Sequence, residues 1–257
     1  MKPEVGLTLF NLREHIKTQE GLDETLGRVK GMGYNNVQVS GCSIEPKIVR
    51  ELTDKHELKI VASHEGAKQI REDFDAIVNK LRTFGCDFTA LGSPGGIFDW
   101  KDGDPNALVS ELKTWGEKFK AEGIKFGFHN HEMELAKYNG RTLLATIYED
   151  TPPDVLYAEL DLHWVTRGGG SPVAWINKVA GRMPVVHIKD FAMDATERKP
   201  YFCEIGEGNL DWPAIIDALT ETGVNYMVVE QDREVPERDI FASMELSYKN
   251  LSAMGLK

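Results

Sequence analysis

Apolar and polar positions alternate along the chain in two regular patterns. Short β-type apolar runs follow one another from end to end, at residues 4–10, 36–40, 58–63, 87–91, 124–129, 155–160, 183–188 and 226–230. Between these runs apolar residues recur every three or four positions, which predicts helices, as in the stripe Ile70, Phe74, Ile77, Leu81 and Phe84. Glycines such as Gly85 and Gly123 follow the helical stripes, as C-terminal caps do. The pattern therefore predicts eight strand–helix units.

This alternation also predicts how the units are assembled. Alternating helices and fully apolar strands are typical of a parallel sheet, and eight such units close most simply into a (β/α)₈ TIM barrel. A doubly wound open sheet normally has a glycine-rich turn after its first strand, whereas this chain has "NLRE" there. No linker or change of composition divides the sequence, so we expect residues 1–257 to form a single TIM-barrel domain.

Composition narrows the classes of function. The formal net charge of −11 disfavours nucleic acid, which binds to basic surfaces. No apolar run is long enough to span a bilayer, and the first residues have too short an apolar stretch for a signal peptide. The 3 cysteines are widely spaced and lack CxxC spacing, which argues against a disulfide framework or a thiolate zinc site. We therefore expect a cytoplasmic protein that binds neither nucleic acid nor a membrane.

Ionisable residues stand directly after several of the apolar runs. In a TIM barrel the carboxyl ends of the strands carry the chemistry. At those positions the chain has His64, the segment 129–134 ("HNHEME"), Asp161, His187 and Glu230. Carboxylates together with an imidazole match the ligands of a hard divalent ion such as Mn²⁺ or Mg²⁺. Without a cation they would repel one another and raise their own pKa values, so the sequence predicts a divalent metal site.

The same segments carry a family resemblance. The stretches "FHNHEMEL", "ELDLHWVTRGG", "VVHIKD", "IGEGNLDW" and "VVEQD" resemble the xylose isomerase-like TIM-barrel superfamily, also called the sugar phosphate isomerases/epimerases. In that family one divalent ion, often Mn²⁺, is held by Glu, Asp, His and Glu. The resemblance implies that the corresponding ligands are Glu134, Asp161, His187 and Glu230. Glu132 is the alternative to Glu134, and Mg²⁺, Co²⁺ and Zn²⁺ are the alternatives to Mn²⁺.

Two positions depart from the family pattern. His129 stands where sugar epimerases of the family usually place their first Glu, and the "HNH" segment is shared with relatives such as inosose dehydratases. Gln38 ends the second strand, where many relatives carry Glu. Because His129 replaces the usual Glu, the resemblance implies that a later Glu is the first metal ligand. Because Gln38 replaces Glu, an additional acid at the end of the second strand is in doubt.

The resemblance and the proposed metal site imply an enzyme. A divalent ion beside carboxylates and histidines suits proton transfer at a carbon next to a carbonyl. We expect a metal-dependent sugar isomerase or epimerase that works through an enediolate. Loss of a β-hydroxyl or glycosidic oxygen would instead make it a lyase, dehydratase or hydrolase of keto-sugars, of the 3-keto-glycoside or inosose type. A non-catalytic sugar-binding protein is the minor alternative.

Roles follow for the individual side chains. Proton transfer is expected from Glu134, Glu230, His129 and His131, which carry carboxylate or imidazole groups. Contacts with a sugar are expected from His64, Lys189, Trp164 and Phe191. Lys189 is the candidate for binding a hydroxyl, carboxylate or phosphate, but a salt bridge to Glu230 could also mimic a metal site without any ion. The expected partner is a small-molecule sugar, and family members are frequently dimers or tetramers, so a homo-oligomer is compatible with the resemblance.

Overall fold

The computed structural model describes residues 1–233, 235 and 238–257. The chain forms two compact units. The terminal unit consists of Met1–Val61 and His187–Lys257, and the central unit of Ala62–Val186. The expectation of one domain over residues 1–257 stays a prediction.

The elements alternate along the chain as the apolar pattern predicts. The strands are β1 (Glu4–Thr8), β2 (Asn36–Val39), β3 (Lys59–Glu65), β4 (Phe88–Leu91), β5 (Lys125–His129), β6 (Lys137–Tyr138), β7 (Arg141–Thr142), β8 (Tyr157–Glu159), β9 (Val185–Ile188), β10 (Asp190–Asp194), β11 (Lys199–Cys203) and β12 (Tyr226–Val229). The α-helices are α1 (Gln19–Met32), α2 (Pro46–Lys55), α3 (Ala67–Glu72), α4 (Phe74–Phe84), α5 (Pro105–Ala121), α6 (Leu143–Glu149), α7 (Leu162–Arg167), α8 (Pro172–Lys178), α9 (Trp212–Glu221) and α10 (Ile240–Ala253). Short 3₁₀ helices cover Leu9–Leu12 and Met133–Leu135.

The described chain has an 8-stranded sheet with the order β8-β5-β4-β3-β2-β1-β12-β9. Its pairings are parallel: Leu7 of β1 lies opposite both Val37 of β2 and Val229 of β12, and Phe128 of β5 lies opposite Ala158 of β8. From β1 to β8, each sheet strand lies beside the sheet strand before it in the chain, and β12 lies beside β1. This is the strand order of a (β/α)₈ barrel, so the predicted fold class is confirmed.

Two antiparallel pairs of strands form separate two-stranded sheets, and the apolar pattern did not predict them. Strand β10 pairs with β11, with Phe191 opposite Phe202, and the short strands β6 and β7 form the second pair. Neither pair shows the long apolar run of a buried strand. Among the helices of the described chain, none combines the length and the apolar character needed to cross a membrane.

The segment "IGEGNLDW" folds around one buried carboxylate. Asp190 accepts hydrogen bonds from the backbone N–H groups of Gly206 (3.0 Å), Gly208 (3.2 Å) and Leu210 (3.4 Å), and from the indole N–H of Trp212 (2.6 Å). A Cβ atom on Gly208 would lie only 2.1 Å from Oδ1 of Asp190, so this position needs glycine. The conformation of this segment is therefore held by hydrogen bonds to the Asp190 carboxylate.

Candidate functional site

A buried polar cluster lies in the terminal unit, at the ends of strands β2, β9 and β12. We call it the lysine cluster, and its members are Gln38, His187, Lys189, Glu230 and Asp232. The ring nitrogens of His187 lie 2.7 Å from Oε2 of Glu230 and 2.6 Å from Oε1 of Gln38. His187 lies on β9, whose residues are all buried, and its own side chain is fully buried. Two expected metal ligands of this unit, His187 and Glu230, are therefore in direct contact.

Lys189 joins the two carboxylates of the lysine cluster. Its Nζ lies 3.2 Å from Oε2 of Glu230 and 2.7 Å from Oδ2 of Asp232, and its side chain is only 1% exposed. The salt bridge to Glu230 that the sequence analysis gave as the rival of a metal site is therefore present. The cluster contains one ammonium group and two carboxylates, so its formal charge is −1 when His187 is neutral.

A second cluster lies in the central unit, and we call it the histidine cluster. It consists of His64, His129 and Glu159, whose ligand atoms all lie within 4.8 Å of one another. The fully buried Glu159 shares a short hydrogen bond with the ring of His64, and its Oε2 lies 3.5 Å from Nδ1 of His129. Two imidazoles and a carboxylate are a known ligand set for divalent ions. The chain thus has a His/Glu cluster that could bind a metal ion.

Sequence reasoning missed Glu159. The apolar run was read through Leu160, so Asp161 was taken as the first polar residue after it, whereas the strand itself ends at Glu159. A signal was present, because Glu159 is an acid within an apolar run and stands two residues before Asp161, on the same strand face by the two-residue period.

Asp161 is positioned by the end of strand β5. Its backbone N–H donates to Oδ1 of Asn130 (3.1 Å), and its carboxylate Oδ1 accepts the backbone N–H of Trp164 (3.0 Å) as the N-cap of helix α7. Ligand atoms of Asp161 and His129 lie within 4.8 Å of each other. Asp161 therefore starts a helix and also stands beside an imidazole.

Glu134 lies in the 3₁₀ helix Met133–Leu135 and is completely buried. Its Oε2 accepts the backbone N–H of His131 (2.8 Å), whereas its Oε1 has no hydrogen-bond partner among the residues that the structure describes. Burial raises the pKa of the Glu134 carboxyl to about 7, although the backbone hydrogen bond from His131 acts in the opposite direction. A buried carboxyl with an unsatisfied oxygen calls for a proton or a cation. Glu132, the alternative ligand, is partly exposed.

The expected sugar contacts are distributed over both units. In the central unit the rings of His131 and Trp164 lie 5.9 Å apart, and the rings of His129 and His131 lie 5.2 Å apart. Both His131 and Trp164 are partly exposed, and His64 is also partly exposed. In the terminal unit Phe191 lies on β10, partly exposed and opposite Phe202. Lys189 is held within the lysine cluster.

The donor groups fit a divalent ion. The unsatisfied oxygen of Glu134 is a buried acceptor of the kind that a cation satisfies. Carboxylate and imidazole groups, which are the ligands of Mn²⁺- and Zn²⁺-type sites, occur in both units. Metal binding is therefore compatible with the side chains present.

Comparison with known proteins finds similar chains whose names describe enzymes that act on sugars or inososes. An inosose dehydratase of Geobacillus kaustophilus (strain HTA426) is 22% identical over 270 aligned positions, which cover 88% of this chain and 85% of that protein. A solved sugar phosphate isomerase/epimerase from Parabacteroides distasonis ATCC 8503 has a TM-score of 0.79 at 22% identity, covering 98% of this chain and 94% of that one. A solved L-ribulose 3-epimerase has a TM-score of 0.76 at 18% identity, covering 99% and 94%.

These structural likenesses, at such low identity, show the fold alone. The family itself is shown by a separate match, since residues 27–250, well over half of the chain, match the family described as xylose isomerase-like TIM barrel. This span includes every strand of the sheet except β1. The chain therefore belongs to the xylose isomerase-like TIM barrel family.

Proposed function

We propose that the protein is a divalent-metal-dependent isomerase or epimerase of a small sugar or sugar derivative, which moves a proton at a carbon next to a carbonyl. The observation that carries the proposal is the buried Glu134, with its unsatisfied Oε1 and its pKa of about 7. The similar proteins support the substrate class, because their names describe sugar isomerases, epimerases and an inosose dehydratase. A cytoplasmic location and a homo-oligomeric state stay predictions from the sequence.

We propose Glu134, Asp161, His187 and Glu230 as the ligands of the ion, with Mn²⁺ as the metal. In the terminal unit the support is the direct contact between His187 and Glu230. In the central unit the support is that the carboxylates of Glu134 and Asp161 are each buried, and that Asp161 stands beside His129. A bound ion would polarise the sugar carbonyl and stabilise the negative charge that develops when the neighbouring carbon loses its proton.

Proton transfer is assigned to His129 and His131. A neutral imidazole accepts a proton near neutral pH, which is the property that a general base needs. Glu159 forms a hydrogen bond to the ring of His64 and so orients it, and its carboxylate also lies 3.5 Å from Nδ1 of His129. His64 and Trp164, both partly exposed in the central unit, are assigned to the sugar itself, and so is Phe191 of the terminal unit.

The second candidate function is elimination of water or of a glycosidic oxygen from a keto-sugar. The similarity to an inosose dehydratase over most of both chains favours it. The same groups would remove the first proton, and a protonated imidazole would then deliver a proton to the leaving oxygen. The two candidates therefore differ in what leaves the substrate, and the groups that begin the reaction are shared.

Both candidates are tested by one experiment in D₂O. The Mn²⁺-loaded protein is incubated with a panel of keto-sugars and 3-keto-glycosides, and NMR follows deuterium at the carbon next to the carbonyl. Isomerisation or epimerisation introduces deuterium and conserves the formula, whereas elimination yields a conjugated ketone with ultraviolet absorbance. EDTA should stop either reaction, and added Mn²⁺ should restore it.

The matched control is Glu117→Gln, which removes an exposed carboxylate from α5 and should change nothing. Two results would contradict the proposal. One is a protein that holds no divalent metal after incubation with Mn²⁺. The other is a metal-loaded protein that exchanges no proton on any member of the panel.

A further inference from the structure

A cavity of about 320 Å³ opens within the terminal unit, beside the segment that follows β1 and the segment that follows β12. Its lining includes Arg13, His15, Gln231, Asp232 and Arg233. This volume is at the lower end of the roughly 300–1,000 Å³ range of small-molecule sites. We call it the arginine cavity.

Arg13 is held in place by neutral groups. Its Nη1 donates to the carbonyl oxygen of Phe10 (2.8 Å), its Nη2 donates to the carbonyl oxygen of Asp232 (3.2 Å), and its guanidinium lies 4.3 Å from the ring centre of Phe10. These contacts fix the planar guanidinium but do not neutralise its charge. A fixed guanidinium loses little further freedom when it binds a phosphate or carboxylate with two parallel hydrogen bonds.

The carboxylates beside this cavity have cationic partners of their own. Oδ2 of Asp232 lies 2.7 Å from Nζ of Lys189, and Oε2 of the exposed Glu14 lies 2.5 Å from Nζ of Lys17. Lys189 is shared with Glu230, so the four cations Arg13, Arg233, Lys17 and Lys189 face the three carboxylates Glu14, Asp232 and Glu230. One positive charge is left among these described residues when His15 is counted as neutral. This is notable in a chain whose formal net charge is −11, because most of its surface would repel an anion.

Gln231 is a lining residue that also carries a buried acceptor. Its Nε2 donates to the carbonyl oxygen of Arg233 (3.0 Å), and its backbone N–H donates to Oδ1 of Asn11 (2.9 Å), so the side chain and backbone are both fixed. Its Oε1 is buried and has no hydrogen-bond partner among the residues that the structure describes. A buried carbonyl oxygen of this kind suits a hydroxyl donor.

The arginine cavity is joined to the lysine cluster by hydrogen bonds. Asp232 lines the cavity and binds Lys189, which in turn binds Glu230. We propose that the cavity binds an anionic substituent, a phosphate or a carboxylate, on a hydroxylated substrate. The inference rests on the proposed sugar chemistry, and it names the substrate class as sugars that carry a negative charge.

Calorimetric titration tests this directly. The probes are D-glucose 6-phosphate, D-glucuronate and D-glucose, added to the protein with Mn²⁺ and, separately, with EDTA. At least one anionic probe should bind about tenfold more tightly than glucose, and added salt should weaken it. The tighter of the two anionic probes identifies phosphate or carboxylate as the recognised group.

Arg13→Gln and Arg233→Gln should each weaken the anionic probe by about tenfold and leave glucose binding unchanged. Arg233 is exposed, so its variant tests the site even where Arg13→Gln impairs folding. The matched control is Arg82→Gln, which removes an exposed arginine of the central unit that pairs with Glu122. Its affinity for every probe should equal that of the wild type.

The inference is overturned if no anionic probe exceeds glucose, or if Arg82→Gln weakens binding as much as the cavity variants. Its failure is distinct from failure of the proposed function. Proton exchange on neutral keto-sugars, with anion binding insensitive to both cavity variants, would refute the cavity alone. Arginine-dependent anion binding by a protein without metal or exchange activity would refute the proposed function alone and support the cavity.

Discussion

Glu230 of the terminal unit and Glu134 of the central unit are both buried and both follow a strand of the sheet. Glu230 lies 2.7 Å from a ring nitrogen of His187 and 3.2 Å from the ammonium group of Lys189. Glu134 accepts a backbone N–H on one oxygen, and its pKa is raised to about 7 by burial. Burying an ionised glutamate therefore costs less free energy at Glu230, where a lysine ammonium group lies beside the carboxylate, than at Glu134, where the carboxylate accepts only a backbone N–H among the described residues. The carboxylate without a lysine is the stronger indication of an ion.

The largest effect is expected from removing one charge at the helix start. Asp161→Asn keeps the acceptor for the Trp164 N–H and the backbone bonds to Asn130, but it removes a negative charge. The affinity for Mn²⁺ should fall by more than about 100-fold, since even residues that only support a metal ligand are worth about 10- to 100-fold. Metal analysis after incubation with Mn²⁺ and dialysis measures this.

Asp211→Asn is the control for that change, because Asp211 caps α9 through the N–H of Ala214 in the same way. It should keep the metal content of the wild type. Equal Mn²⁺ binding by the Asp161→Asn protein would remove Asp161 from the proposed ligands.

Lys189→Met would remove the ammonium group from the lysine cluster, so that among the described residues Glu230, like Glu134, would be a buried carboxylate without a lysine partner. It leaves the carboxylates of Glu230 and Asp232 without their ammonium group, so the free energy of unfolding should fall by about 3–5 kcal/mol. Mn²⁺ should restore part of this stability, since a cation that binds only the folded state stabilises it. Urea unfolding with EDTA and with Mn²⁺ measures both effects.

The comparison variant is Lys17→Met, which breaks the exposed pair with Glu14. Its free energy of unfolding should stay close to that of the wild type, because exposed ion pairs contribute little to stability. A Lys189→Met protein as stable as Lys17→Met would mean that the buried lysine does not neutralise this cluster.

Glu134→Gln should alter how stability depends on pH. The folded pKa of about 7 lies above the ordinary value of 4.5, so the stability contributed by the neutral carboxyl is fully present below pH 4.5 and is lost as the pH rises through 7. Glutamine cannot ionise. Above pH 7 the free energy of unfolding of the metal-free variant should therefore exceed that of the metal-free wild type by up to about 3 kcal/mol. Unfolding in EDTA at several pH values checks the sign, and a difference that stays constant with pH would show that folding does not shift the pKa of Glu134.

Trp164→Phe should give the smallest effect. The ring of Trp164 lies 5.9 Å from that of His131, and a smaller ring would offer less apolar surface to a sugar. KM should rise by about three- to tenfold, because loss of roughly 1 kcal/mol of contact corresponds to such a factor. Metal content should stay unchanged, and an unchanged KM would mean that Trp164 only packs against His131.

The fold was predictable because it depends on periodicity. Buried strands of a parallel sheet are apolar throughout, and the glycine-capped stripes between them mark the helices, so the order of the elements could be read from the sequence. The hairpin of β10 and β11 could not, since residues such as Asp194 and Lys199 face solvent and leave no apolar pattern. Its pairing depends on backbone hydrogen bonds, which carry no signature in residue type.

The site was predictable as a set of strand ends but not as a set of contacts. The Lys189–Glu230 pair was foreseen, since 187 and 189 share a strand face and an acid ends the next sheet strand. The second carboxylate on Lys189, that of Asp232, was not foreseen, because its position depends on how the chain turns after β12. The burial of Glu134 was also not readable, since it depends on the 3₁₀ helix Met133–Leu135, which no apolar pattern in the sequence marks.

The carboxylate of Asp190 has a kinetic consequence for the segment around it. The amide hydrogens of Gly206, Gly208 and Leu210 lie outside every helix and strand, yet all of them are held by this one buried group. They can exchange with deuterated solvent only when Asp190 releases them, so they should exchange slowly and as a group. These loop amides should then exchange about as slowly as amides of the core strands, although the loop itself is glycine-rich and irregular.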